Sequence, residues 1–144
     1  MLRVKILERE AHVPEIAHPD EDLGYDLFSL VATILEPRSI VKVRTGIAVE
    51  ARHPTTGAPL GLLVRDRSSI AARGVAVIGG VIDSGFRGEV LVIMTNLGDS
   101  AVKFEAREKI AQIIPIQVLT GKVEQVDTLE RSARAESGFG STGG

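Results

Sequence analysis

Residues 75–94 read Val-Ala-Val-Ile-Gly-Gly-Val-Ile-Asp-Ser-Gly-Phe-Arg-Gly-Glu-Val-Leu-Val-Ile-Met. Two β-branched runs, 75–82 and 89–94, flank a polar turn that contains Gly85. Branched side chains suit a pleated, half-buried surface, so the stretch predicts two strands about a tight turn. The pattern repeats outward in both directions. Leu2, Val4 and Ile6 alternate with Arg3 and Lys5. Across residues 39–51, Ile40, Val41, Val43, Ile47 and Val49 are interleaved with charge, and Gly46 predicts a bulge or bend. Short apolar runs follow at 60–64 and 102–104, and a longer one at 110–118, where Pro115 predicts an edge or a bulge. His53-Pro54, Gly79-Gly80, Gly85 and Gly98-Asp99 punctuate the runs as turns. Many short strands at this spacing predict an all-β barrel or sandwich. Only residues 68–73 depart from it: Ser, Ile and two Ala before Gly74 predict one short helix, with Ser at its start and Gly beyond its end.

The chain's bulk properties narrow the classes. At 144 residues it is expected to form one domain, residues 1–132. Residues 133–144, rich in Gly and Ser and without core periodicity, are expected to be a flexible tail. Aromatics make up 3%, so Val, Ile, Leu and Ala must fill the core. A net charge of -2 provides no global basic field for a nucleic-acid partner. With no cysteine, disulfides, cysteine–zinc sites and thiol nucleophiles are excluded. Residues 1–10 lack the apolar run of a signal peptide, and no stretch is apolar enough to span a bilayer; a cytoplasmic location without membrane partners is expected.

Four segments carry candidate chemistry, each with a plainer alternative. Arg67-Ser68-Ser69 stands where a strand gives way to the short helix. Unpaired amides, hydroxyls and a planar guanidinium there suit phosphate oxygens, although a capping Ser beside a surface Arg is the commoner arrangement. Residues 80–89 hold Asp83 and Phe86 on either side of Ser84-Gly85. A hairpin there could offer backbone groups and a ring to a flat base, with Asp83 as general base on a water. Equally, Asp83 could cap the turn while Phe86 packs. Residues 138–143, Gly-Phe-Gly-Ser-Thr-Gly, could wrap phosphates, or be a disordered end. Tyr25, the only tyrosine, opens a strand as a buried residue, with Asp26 left open.

Individually these segments are common; their order is specific. Gly-Tyr-Asp-Leu at 24–27, Arg-Ser-Ser at 67–69, the acidic turn at 80–89, Lys-Ile-Ala-Gln at 109–112 and the Gly-Phe-Gly-Ser-Thr-Gly end resemble the five motifs of the trimeric dUTPase family. The resemblance implies a distorted β-barrel of jelly-roll type, assembled as a homotrimer. Each site would take the acidic turn from one subunit, the first, second and fourth motifs from a neighbour, and the tail from the third. It implies hydrolysis of dUTP to dUMP and pyrophosphate, limiting uracil in DNA and supplying dUMP for thymidylate synthesis. Asp83 would activate the attacking water. Backbone around Gly80, Ile82 and Leu91 would read the uracil edge, and the Phe86 ring would exclude a 2′-hydroxyl. Arg67, Ser68, Ser69 and Gln112 would bind the phosphates, with Asp26 organising the neighbouring site. Arg134 would reach the terminal phosphate, while Phe139, Gly140 and Ser141 close over the nucleotide. Mg²⁺ would be held by substrate phosphates and water, with no direct protein ligand, and His12, His18 and His53 would be surface residues.

The chain departs from the family pattern in places. Asp66 precedes Arg67 where a neutral residue is usual, and is expected to weaken the local positive field. Gly85 replaces a frequent acid, and Ala135 and Ser137 replace glycines of the tail. The rival readings are a deoxycytidine-triphosphate deaminase of the same superfamily, a non-catalytic nucleotide sensor on this fold, and a structural, capsid-like jelly roll. Gly-Tyr-Asp-Leu and the terminal motif favour the hydrolase.

Overall fold

The structure, a computed structural model, describes residues 1–131. Among these, eleven strands and one short helix run in the order β1 (Leu2–Ile6), β2 (Tyr25–Phe28), β3 (Thr33–Leu35), β4 (Ile40–Arg44), β5 (Ile47–Arg52), β6 (Pro59–Arg65), α1 (Ser68–Ala71), β7 (Val75–Val77), β8 (Val81–Ile82), β9 (Leu91–Asn96), β10 (Val102–Phe104) and β11 (Lys109–Gln117). The all-β expectation with one helix holds. Every ladder is antiparallel. One sheet runs β1-β5-β6-β11-β2 with β8 also on β6, another β4-β9-β7, and a third pairs β10 with β3. Their inner faces meet in one core, where Leu27, Val43, Ile47, Val64, Val92, Met94, Phe104 and Ile113 are buried. That core is almost wholly aliphatic, as the low aromatic content requires.

Two apolar runs that look continuous are each broken between sheets. Residues 39–51 divide at Gly46, whose φ is +70°, a conformation that costs glycine little. The half before it, β4, joins β9, and the half after it, β5, joins β1 and β6. The expected bend is thus a change of sheet. Residues 75–82 divide in the same way. β7 pairs with β9 through Val75↔Asn96 and Val77↔Met94. β8 instead joins β6 through Leu62↔Ile82 and Leu63↔Val81. The expected tight hairpin between the runs at 75–82 and 89–94 is therefore corrected: β8 and β9 lie in different sheets, and residues 83–90 connect them.

Gly80 makes the second transfer possible. Its carbonyl accepts the Val64 N–H at 2.7 Å. A Cβ at Gly80 would overlap the Val64 carbonyl oxygen. Only glycine lets the two backbones approach this closely.

Pro115 sits within β11, opposite Leu62. Pairing with β2 ends at Ile113, so Pro115 has a strand on one side only, and the bulge lies earlier, between Lys109 and Ala111. The proline occupies a locally free edge, where its missing N–H breaks no ladder.

Replacing Gly80 by Ala is expected to destabilise the fold by about 1–3 kcal/mol, the usual cost of overpacking. Gly85→Ala, where a Cβ meets nothing within 4 Å, is expected to be nearly neutral. Thermal unfolding of the two variants side by side checks this.

Candidate functional site

Three adjacent strands and one turn build the first concavity. Gln112 on β11 stands between Asp26 on β2 and Arg65 on β6 in the ladders. Just past Arg65 the chain turns into α1, which places Arg67, Ser68 and Ser69 beside Gln112. These residues line a cleft of about 490 Å³ together with His18, Asp22, Gly24 and Asp26.

Asp26 is the electrostatic centre of the cleft, with a side chain 18% exposed. Its Oδ1 lies 2.8 Å from Arg67 Nε and its Oδ2 2.9 Å from Lys109 Nζ. Lys109 also reaches Glu15 at 3.3 Å. The Glu15 segment is tied to β2 by an isolated bridge to Asp26. The Lys109 ammonium is held above its ordinary range, first by the hydrogen bond to Asp26 and less by Glu15, with desolvation opposing. Asp26 is therefore not freely solvated, and both of its oxygens are engaged. It orients Arg67 by its Nε edge.

The helix start differs from expectation. Arg67, extended at φ −86° and ψ 140°, occupies the N-cap, and no side chain caps the helix. Ser68 and Ser69 fall in the first turn and are exposed. Amides of a first helical turn have no partner within the helix. With one turn of helix the macrodipole is small, so individual amides, hydroxyls and the guanidinium matter more.

Asp66 engages both neighbours of the cleft wall. Its Oδ1 accepts the Val77 N–H, and its carbonyl accepts Gln112 Nε2 at 2.8 Å. The carboxylate is turned toward β7 rather than the cleft, and the carbonyl orients Gln112.

Asp83 and Phe86 line a different hollow. It measures about 220 Å³ and is walled also by Gly79, Ile82, Glu89 and Leu91. Asp83 is exposed, and it is its carbonyl that closes the turn, accepting the Phe86 N–H at 3.0 Å. Phe86 is 45% exposed rather than packed in the core. Its ring lies over Gly88, where a Cβ would come within 2.6 Å of Cζ. Leu91 opens β9 opposite Arg44. The Gly80 carbonyl is already engaged with Val64, so of its backbone groups the amide is the one left to meet a ligand. Ile82 and Asp83 also border an apolar hollow of about 350 Å³ shared with Ile116, Val118 and Leu119.

Within one chain, then, Arg67, Ser68, Ser69, Gln112 and Asp26 converge, Asp83, Ile82, Phe86 and Leu91 converge, and the two groups line separate hollows. Arg134, Phe139, Gly140 and Ser141 lie outside the described residues. Lys109 opens the Lys-Ile-Ala-Gln motif, but sequence alone gives it no partner; the bridge between the Glu15 segment and β2 and the ion pair to Glu15 place the two together. His18 is exposed as expected, whereas His12 is half-buried against Phe28, with ring centroids 4.2 Å apart. Among the described residues no three His, Asp or Glu side chains converge as a metal cage, and no helix is long and apolar enough to cross a membrane.

Chemically, the first cleft suits an oxygen-rich anion, and the second hollow suits a flat group with a polar edge. Together they describe a surface for a phosphorylated small molecule with a planar part. The sequence pattern of the dUTPase family matches residues 9–143, and the chain belongs to that family. It is 38% identical to the deoxyuridine 5′-triphosphate nucleotidohydrolase of Alkaliphilus metalliredigens, covering 99% of this chain and 96% of that one. It is 40% identical to that of Clostridium acetobutylicum, again with 99% and 96% covered. The Staphylococcus bacteriophage 80alpha dUTPase, solved with dUpNHpp, superposes with a TM-score of 0.88 at 27% identity, covering 99% of this chain and 98% of that one.

The raised Lys109 value has a defined sign. Its pairing contributes stability in full below the ordinary lysine value of 10.5 and loses it as pH rises through the folded value above that. Asp26→Asn is expected to flatten this alkaline loss of melting temperature, while weakening affinity for a triphosphate by loosening Arg67. Melting curves across the alkaline range, with and without the nucleotide, check both effects.

Proposed function

We propose that the protein hydrolyses dUTP to dUMP and pyrophosphate, so limiting uracil incorporation into DNA and supplying dUMP for thymidylate synthesis. The observation that carries this reading is that the acidic turn and the phosphate cleft both lie within the matched residues 9–143 and both stand open. Asp83 takes a proton from a water whose oxygen attacks the α-phosphorus. The P–O bond to the β-phosphate bridging oxygen breaks, and pyrophosphate leaves. An exposed carboxylate at a turn is accessible to such a water.

The Gly80 amide and backbone of Ile82 and Leu91 read the uracil edge. Cytosine, with donor and acceptor exchanged, would leave buried groups unpaired at about 1–3 kcal/mol each. The Phe86 ring takes the place where a 2′-hydroxyl would project. Arg67, Ser68, Ser69 and Gln112 hold the phosphates, oriented by Asp26 and Asp66.

Mg²⁺ fits this donor set as an ion carried in on the triphosphate. Both carboxylates of the phosphate cleft are partnered: Asp26 by Arg67 and Lys109, and Asp22 by the His18 amide at 2.9 Å. Magnesium often keeps its waters and binds through substrate phosphates. Ser68, Ser69 and Gln112 would hold the hydrated complex, and the ion would offset charge on the leaving pyrophosphate.

A homotrimer of jelly-roll subunits, with sites shared between copies, accounts for the division of the site into two hollows within one chain. It is supported further by apolar residues left open beside the acidic turn, Val81 at 74% and Leu119 at 86% exposed. Residues 1–132 would form the barrel, and residues 133–144 would close the site, with Arg134, Phe139, Gly140 and Ser141 meeting the nucleotide. A cytoplasmic location suits the substrate.

Asp83→Asn is expected to lower turnover by about 10²–10⁴-fold, the usual worth of a general base, while dUTP binding measured by calorimetry persists. Normal turnover would remove Asp83 from the role. Deleting residues 138–144 is expected to cut the rate without changing the sedimentation of the assembly. A slower-sedimenting species would make the tail structural instead.

A further inference from the structure

The connection from β8 to β9 has no ladder of its own between residues 83 and 90, yet it carries Asp83 and Phe86. Arg87 closes it. Its Nη1 donates to the carbonyls of Ser84 and Phe86, each at 2.8 Å, so that one nitrogen bridges the two residues flanking Gly85. Its Nη2 reaches Oε1 of Glu50 at 3.2 Å.

Glu50 lies on β5, inside the six-stranded sheet, and its side chain is 20% exposed. Arg52 grips the same Oε1 through Nη2 at 2.7 Å and Nε at 3.0 Å. Arg3 on β1 lies 3.5 Å from Oε2. The Glu50 carboxyl is held below its ordinary range, first by the Arg52 hydrogen bond and also by Arg87 and Arg3, against desolvation. It is therefore ionised near neutral pH. The chain of contacts runs from a sheet strand, through a fixed carboxylate, to the two carbonyls of the turn. The second of those carbonyls belongs to Phe86.

We infer that Arg87, anchored by Glu50, is a positioning residue that sets discrimination between deoxyribose and ribose, by fixing the angle at which the Phe86 ring meets the sugar. This rests on the reading of Phe86 given above. Exposed ion pairs contribute little to stability, whereas a small misplacement at a reacting centre is costly. Loss of the clamp therefore lowers selectivity more than melting temperature. A purely structural residue would do the opposite.

The test compares kcat/KM for dUTP and for UTP, with melting temperature, in the unaltered protein and in Arg87→Ala, Arg87→Lys and Glu50→Gln. The dUTP:UTP ratio is expected to fall about tenfold in Arg87→Ala, short of the roughly hundredfold loss that a misplacement of about 1 Å can cause. The fall should be smaller in Glu50→Gln and partly restored in Arg87→Lys, which keeps a donor for the carbonyls, with melting temperatures changed by only a few degrees. An unchanged ratio in Arg87→Ala overturns the inference. Should that variant not fold, an unchanged ratio in Glu50→Gln overturns it instead. If the unaltered protein turns over UTP as readily as dUTP, the reading of Phe86 itself fails, and this inference with it.

Discussion

The close approach of Gly80 to Val64 governs the rest of the molecule. The Val64 N–H to Gly80 carbonyl hydrogen bond forms with no room for a side chain between the strands. It lets the chain leave the β4-β9-β7 sheet after β7 and enter the six-stranded sheet as β8. Two residues later comes Asp83. The acidic turn is thus slung between two sheets, open to solvent, with one arm on β6 and the other entering β9. Because β8 pairs with β6 and not with β9, residues 83–90 span the gap between the sheets instead of closing a tight hairpin.

The same β6 organises the other half of the site. Its end at Arg65 leads directly to Arg67, Ser68 and Ser69, and its ladder with β11 brings Gln112 alongside. β6 therefore touches both hollows, holding β8 at Leu62 and Leu63 and delivering Arg67, Ser68 and Ser69 from its end. Charge is handled differently in the two. In the cleft beside α1 Asp26 holds Arg67 and Lys109 together, and Asp66 turns its carboxylate to Val77. At the acidic turn Arg87 and Glu50 secure the loop, while Asp83 is left on the surface.

What could be read from the sequence follows from what is local. β1 and β10 were legible because alternation over a few residues is a property of the strand itself. Gly46 and Gly79-Gly80 were legible as breaks, but not as changes of sheet. The partner of β8 is β6, some eighteen residues earlier (Val81↔Leu63), and nothing in residues 75–94 names it. β3, Thr-Ile-Leu, does not alternate apolar and polar residues as the equally short β10 does, so it does not stand out. In the site, Arg67, Ser68, Ser69 and Asp83 were marked by residue type and order. Glu15, Lys109 and Arg87 make contacts with distant segments, and the partner of the Asp66 carboxylate, the Val77 amide, lies eleven residues on, so local sequence names none of these pairings. Residues at the end of the chain that the motifs single out lie outside the described structure.

The proposed activity has three parts: hydrolysis of dUTP, selection of uracil and selection of deoxyribose. Product analysis of the purified protein with Mg²⁺, offering dUTP, dCTP, dTTP and UTP in parallel, tests it most directly. The expected result is dUMP and pyrophosphate from dUTP, with little product from the other three. Formation of dUTP or dUMP from dCTP, or binding of dUTP without turnover, would contradict it.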